Sequence, residues 1–152
     1  MQAERGAFLL STDRSLLDFD AVHGFLRSAY WCPGIPREVV ERAAAHSRTF
    51  GLYHRPAPGR REQAGYLRVI TDHAGFAYLL DVFVLEPFRG QGLARWMVET
   101  VMADPELSSV RTWLLNTRDS HALYGKLGFV PLDNPDSYMR RRIPQPWQSP
   151  PG

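Results

Sequence analysis

The chain has 152 residues, of which 44% are hydrophobic, so it has the length and apolar content of one domain with its own core. Its formal net charge is only +2 and its basic residues are scattered, which argues against a nucleic-acid partner. A single cysteine excludes an internal disulfide. No apolar run approaches the roughly 20 residues that span a bilayer, and the first residues show no signal-peptide pattern, so we expect a cytoplasmic protein without a membrane partner.

The N-terminal half is predicted to hold three strands and two helices. The first strand is Ala7–Ser11, and a helix follows at about Asp18–Tyr30. A second helix begins near Pro36, because proline is tolerated in the first helical turn. Strands at 49–53 and 64–70 enclose a hairpin loop at 55–60.

The C-terminal half continues with a buried strand at Phe76–Val84 and a helix from Gly90. A strand near 110–116, a helix from 119 and strands near 129–132 and 137–143 complete the order βααβββαβαββ. Residues 1–143 are therefore predicted to form one domain. Residues 144–152 are predicted to form a proline-rich tail that is extended or disordered, with Trp147 as a candidate anchor.

The segment Val84–Ala94 joins an apolar strand to a helix through a turn that contains Gly90 and Gly92. The first N–H groups of a helix have no partner within the helix, and the helix dipole adds partial positive charge at the same end. This turn is therefore predicted to bind phosphate.

Spacing separates three kinds of phosphate loop. A Walker loop needs Lys and then Ser or Thr after its last glycine, whereas Leu93 and Ala94 follow Gly92. A dinucleotide fingerprint needs a small third residue, and Arg95 occupies that position. The remaining pattern, Arg89-x-x-Gly92-x-Ala94 after Val-x-x-Pro, resembles the pyrophosphate loop of the GNAT superfamily of acetyl-CoA-dependent N-acetyltransferases.

A second block, residues 112–129, resembles the later strand and helix of that superfamily, whose usual form is Asn-x-x-Ala-x-x-Leu-Tyr-x-x-x-Gly-Phe. The residues that match in register are Ala122, Tyr124, Gly128 and Phe129. Asp119 departs from the pattern, which has Asn at this position. An ionised carboxylate cannot donate the hydrogen bond that an Asn would give to the cofactor. Asn116 is a candidate to replace it.

The resemblance implies an α/β (α+β) domain whose central twisted sheet is mixed and mostly antiparallel, with about seven strands and four helices. It also implies acetyl-CoA as co-substrate. The pyrophosphate would meet the turn at Gly90 and the charge of Arg89. The residues whose backbone would contact the cofactor are Val82, Phe83 and Val84 beside the pantetheine arm, and Gln91, Gly92, Leu93 and Ala94 at the pyrophosphate. The N–H of Val84, or of a close neighbour, would polarise the thioester carbonyl.

Tyr124 is the predicted acid, because the family pattern aims its hydroxyl at the cofactor sulfur. Unperturbed phenol and thiol pKa values are roughly 10 and 8.5, so proton transfer to a thiolate needs only a modest environmental shift. Asp81 and Glu86 are the acidic positions nearest the thioester and are the candidate bases. A chain of waters is the alternative to either.

The acceptor side is predicted to lie at the loop between the first two helices, where Tyr30 and Trp31 could form an aromatic wall that Tyr78 extends. Capping of the core is the alternative role for these rings. The histidines share no ligand spacing with one another or with Cys32, so no metal is expected.

These features favour an N-acetyltransferase that transfers acetyl from acetyl-CoA to a primary amine of a small molecule or peptide, by direct attack in a ternary complex. The alternative is a non-catalytic acyl-CoA-binding sensor or partner domain. Monomer and homodimer both remain open.

Overall fold

The computed structural model describes residues 1–148 and arranges six strands side by side in chain order. The strands are β1 (Gln2–Arg5), β2 (Phe8–Ser11), β3 (Arg48–Ala57), β4 (Arg60–Thr71), β5 (Phe76–Val84) and β6 (Thr112–Leu114). The first five pair antiparallel, and β5 pairs with β6 in parallel. The predicted mixed, mostly antiparallel sheet is confirmed, with six strands in the described residues instead of seven.

Four helices accompany the sheet: α1 (Phe19–Leu26), α2 (Arg37–Ala45), α3 (Leu93–Met102) and α4 (His121–Gly125). The Asp18 side chain starts α1 by accepting hydrogen bonds from the N–H groups of Asp20 and Ala21 at 2.9 and 3.3 Å. α2 begins directly after Pro36, as the sequence predicts.

The two faces of the sheet carry separate apolar clusters. Val22 and Leu26 of α1 pack with Tyr66 and Phe83 on one face. On the other face, the buried side of α3 packs against a larger cluster that includes Leu67. Tyr66 and Leu67 join different clusters because successive side chains of a strand point to opposite faces. The sheet is therefore covered on both sides, and the site lies where it opens between β5 and β6.

The predicted strands at 129–132 and 137–143 are wrong for this structure. Pro131 has no N–H to give to a strand ladder, and the 3-10 turn Pro135–Ser137 takes the first residue of the second segment. The side chains of Val130 and Met139 are almost fully exposed.

Other boundaries also moved. The predicted first strand is the second arm of the hairpin formed by β1 and β2. The predicted hairpin loop shrinks to Pro58 and Gly59, because β3 and β4 continue past a register irregularity between His54 and Ala57. The first helix ends at Leu26 rather than near Tyr30.

The described part of the predicted tail, residues 144–148, lies near the loop between α1 and α2. A Cβ added to Gly34 would come within 3.1 Å of the Trp147 carbonyl oxygen. Residues 149–152 lie outside the described part of the chain. A domain boundary at residue 143 stays a prediction.

Candidate active site

A cleft opens where β5 and β6 part. Their parallel ladder covers only three residue pairs and ends at Tyr78 and Leu114. Beyond that point lies a cavity of about 520 Å³. The sequence-predicted site residues that line it are Tyr30, Trp31, Tyr78, Asp81, Val82, Asn116, Asp119 and Tyr124. Folding therefore brings together residues from four separate parts of the chain.

A bulge in β5 forms one wall of this cavity. Tyr66 of β4 pairs with Phe83, but the next pair joins Arg68 to Leu80, so Asp81 and Val82 stand opposite Leu67 alone. Asp81 has φ 54°, a left-handed backbone conformation that costs an L-residue about 1–2 kcal/mol. The bulge interrupts the β4–β5 pairing just before the strand reaches the glycine turn.

The Asp81 carboxylate is held from two sides. Its Oδ2 lies 2.5 Å from Arg68 Nε, and both side chains are mostly buried, at 11% and 15% exposure. Its Oδ1 accepts a hydrogen bond of 2.9 Å from the Trp31 indole. Arg68 also donates to Ser47 Oγ at 3.1 Å, just beyond the end of α2. Sequence reasoning missed Arg68, because one arginine in a strand carries no signal of its partner 13 residues away.

Tyr124 lies on the opposite wall, in α4, and is buried. Its ring packs edge-on against Phe129 at 5.8 Å between centroids. Burial, followed by the nearby Tyr30 phenol, raises the pKa of Tyr124 to about 12. None of the described residues hydrogen-bonds its hydroxyl. At neutral pH the phenol is therefore protonated and able to donate into the cavity.

The glycine turn has the conformation that the sequence predicts. Gly90 and Gly92 have φ values of 80° and 71°, which glycine adopts without the strain imposed by a Cβ. The first helical hydrogen bond of α3 runs from Trp96 N–H to Gly92 O at 3.1 Å, so the N–H groups of Leu93 and Ala94 have no acceptor within the helix. These groups form a cradle for an anion.

Two arginines hold this cradle. Arg89 Nε donates to the Val84 carbonyl at 2.9 Å, which ties the turn to the end of β5. Arg5 Nη1 donates to the Gly92 carbonyl at 3.2 Å, although it lies 87 positions away in the chain. Arg5 adds positive charge that no local motif predicts.

Glu86 is placed away from the cavity. It is exposed in the 3-10 turn Glu86–Phe88, and its carbonyl accepts from the Arg89 N–H at 3.2 Å. Of the two candidate bases, only Asp81 borders the cavity.

Tyr30 and Trp31 cross the mouth of the cleft. The Tyr30 hydroxyl accepts a hydrogen bond of 3.2 Å from the Arg118 N–H, and the Arg118 guanidinium lies 3.8 Å from the centre of the Tyr30 ring. Trp31 reaches the other wall through Asp81. The two rings therefore connect the loop between α1 and α2 with both walls of the cleft.

Asn116 and Asp119 also border the cavity, and Asp119 stays largely solvated. Its Oδ2 lies 4.0 Å from Arg118 Nη2, and its Oδ1 accepts from Ser120 Oγ at 3.3 Å. The Asp119 carboxylate therefore already has Ser120 as a hydrogen-bond donor and Arg118 as a neighbouring cation.

Cys32 does not line the cavity, and its Sγ lies 3.3 Å from the Leu26 carbonyl. Burial raises the pKa of this thiol to about 12, so little thiolate forms at neutral pH.

Within residues 1–148, no group of three or more His, Cys, Asp or Glu side chains is placed to hold a metal ion. Over the same residues, no helix has the length and apolar character needed to cross a membrane.

Comparisons with known proteins agree with this geometry. The family model described as "Acetyltransferase (GNAT) domain" matches residues 39–131. The chain therefore belongs to the GNAT acetyltransferase family and is an acyltransferase. Enzymes of this family use acetyl-CoA and act on amine acceptors.

Three relatives illustrate the match. A candidate acetyltransferase of Gibberella zeae is 34% identical over 141 residues, which cover 80% of this chain and 78% of that protein. The crystal structure of a candidate GNAT-family acetyltransferase from Xanthomonas campestris pv. campestris has a TM-score of 0.84 and 41% identity, over 93% of this chain and 97% of that one. The ribosomal-protein-S18-alanine N-acetyltransferase of Escherichia coli shares the fold, with a TM-score of 0.61 and 22% identity over 80% of this chain and 76% of that one.

Proposed function

We propose that this protein transfers an acetyl group from acetyl-CoA to a primary amine of a small molecule or peptide, by direct attack in a ternary complex. The observation that carries the proposal is the shared cavity. The buried phenol of Tyr124 and the bulge at Asp81 and Val82 line the same space, where the sheet parts. A thioester in that space would have a proton donor on one side and backbone groups on the other.

The cradle before α3 fits a diphosphate. A Cβ at Gly92 would lie 3.7 Å from the Arg5 guanidinium and would force a side chain into a left-handed backbone. The N–H groups from Gln91 to Ala94, with Arg5 and Arg89, would bind the diphosphate. Acetyl-CoA, when bound, supplies an activated acetyl thioester.

Tyr124 holds the proton that the leaving thiolate needs. Its raised pKa keeps the phenol protonated. The low-dielectric surroundings that raise it also raise the pKa of a thiolate formed beside it, so the two values move in the same direction.

The acceptor must lose a proton before it attacks, and a chain of waters in the cleft would take that proton. An alkyl ammonium has a pKa near 10.4, so at pH 7.5 only about one molecule in a thousand is neutral. Tyr30, Trp31 and Tyr78 would hold this amine beside the thioester. Glu86 is exposed and does not line the cavity, which disfavours it as the group that takes this proton.

A covalent route through cysteine has little support. Cys32 is absent from the cavity lining, and its thiol is poorly ionised. Direct attack needs no such intermediate.

The test is an activity screen with purified protein, acetyl-CoA and a panel of primary amines, following release of free thiol. We expect release above the rate of hydrolysis with at least one amine, and mass spectrometry to find the acetyl group on nitrogen. Acetyl-CoA binding without release across the panel would instead support the acyl-CoA sensor. Product carrying the acetyl group on oxygen would contradict the amine assignment.

A further inference from the structure

Asp81 combines two unusual properties for a residue inside a strand. It is one of two non-glycine residues with positive φ among those described, and its side chain is mostly buried. Such a conformation persists only when the surroundings enforce it. The contacts of its carboxylate identify what enforces it.

The ion pair with Arg68 crosses the bulge itself. Arg68 lies in β4 at the pair that resumes regular register, and Asp81 is one of the two β5 residues that stand opposite Leu67. The Arg68 guanidinium is fixed in turn by Ser47. A short bond to a residue held in β4 therefore sets where the extra residue of β5 can lie.

The bond from Trp31 links this bulge to the acceptor loop. The Trp31 indole donates to the second carboxylate oxygen, and Tyr30 packs edge-on against Trp31 with ring centroids 5.1 Å apart. One carboxylate thus contacts both β4, through Arg68, and the loop between α1 and α2, through Trp31.

We infer that Asp81 is a positioning residue: with Arg68 it holds the left-handed bulge of β5 in place, and through Trp31 it places the aromatic acceptor loop over that bulge. The inference rests on the proposed function, since it assigns a role in the same acetyl transfer. It also reassigns Asp81, which the sequence suggests as a base. Both of its oxygens have protein partners, so its charge is engaged in holding structure.

A double-mutant cycle tests whether Asp81 and Arg68 act as one unit. Asp81→Asn keeps the size and the tolerance for left-handed backbone but removes the charge. Arg68→Gln removes the cation. If the pair acts as one unit, each change lowers kcat by about tenfold, and the double variant loses no more than about twofold beyond the worse single variant. A base would keep its carboxylate in Arg68→Gln, so an unchanged kcat in that variant, or losses that multiply in the double variant, would overturn the inference.

The link to the acceptor loop has its own readout. Trp31→Phe keeps an aromatic ring and removes the N–H donor. We expect the acceptor KM to rise about fivefold while acetyl-CoA affinity stays within about twofold. Trp96→Phe, in α3 and away from the cavity lining, is the matched control and leaves the acceptor KM unchanged. An unchanged KM in Trp31→Phe contradicts the inference.

Failure of the proposed function gives a different result. A wild-type protein that binds acetyl-CoA but turns over no amine refutes the acetyl transfer, and the positioning role falls with it. A wild-type protein that turns over, with multiplying losses in the double variant, refutes the positioning role alone.

Discussion

Replacing Tyr124 by Phe tests the proton donor with little disturbance of the fold. The change removes one hydroxyl that no described residue hydrogen-bonds, and it keeps the ring that packs on Phe129 at 5.8 Å. The free energy of unfolding should therefore change by less than about 1 kcal/mol. Any large loss of activity then reports on chemistry.

The structure limits how large that loss can be. General acids contribute about 10²–10⁴ in rate. Burial raises the pKa of Tyr124 to about 12, and the same surroundings also raise the pKa of the thiol that receives the proton. We expect an acid that gives up its proton this reluctantly to act near the lower end of that range, at about 10² in kcat, or about 2.7 kcal/mol.

The assay is steady-state release of free thiol with the best amine from the screen, together with direct measurement of acetyl-CoA affinity. We expect kcat to fall about 100-fold and the acetyl-CoA dissociation constant to stay within about twofold. Tyr138→Phe is the matched control, because that tyrosine is half exposed and outside the cavity lining. A kcat for Tyr124→Phe within about threefold of wild type would remove Tyr124 from the mechanism.

Three further predictions follow from the same contacts. Gly92→Glu weakens acetyl-CoA binding by about 100-fold or more, because it adds bulk and negative charge to the anion cradle. Gly59→Glu, at φ 74° in a hairpin turn, controls for backbone strain alone. Equal acetyl-CoA affinities of these two variants in a binding titration would contradict the cradle. Cys32→Ala keeps kcat within about threefold, and loss of turnover with intact cofactor binding would contradict direct attack. Burial raises the pKa of Tyr53, Tyr66 and Tyr124 above the unfolded value near 10. The contribution of these protonated phenols to the free energy of unfolding is therefore complete below pH 10 and is lost as pH rises toward the folded pKa values, by about 1 kcal/mol per tyrosine at pH 11. A urea midpoint that stays constant from pH 9 to about 11 would contradict this last prediction.

Local patterns predicted the parts of the molecule whose structure is locally determined. The turn from Val84 to Ala94 needs glycines at positive φ and a helix start, and both requirements are visible in consecutive residues. The helix that carries Tyr124 was found in the same way. Runs rich in apolar and aromatic residues located β3 to β5, because each of these strands buries side chains in the sheet.

Sequence reasoning did not predict the features that depend on contacts between residues far apart in the chain. Arg68 and Arg5 acquire their roles only when β4 lies beside β5 and β1 folds near the start of α3. The bulge at Asp81 is a relation between two strands, so one strand alone does not reveal it. The predicted strand at 129–132 contains Pro131, which has no N–H for a strand ladder.

The two carboxylates show the same contrast. Asp81 and Glu86 are five positions apart and equally acidic in sequence, yet one is enclosed by Arg68 and Trp31 and the other is exposed. Burial and partners decide their chemistry, and both depend on the tertiary fold.

A crystal structure of the protein with acetyl-CoA tests the central claim most directly. We predict that the diphosphate binds the N–H groups from Gln91 to Ala94, that the pantetheine arm enters the gap between β5 and β6, and that the sulfur lies within hydrogen-bonding distance of the Tyr124 hydroxyl. Acetyl-CoA bound elsewhere, or bound in the gap with its sulfur turned away from Tyr124, would contradict the account.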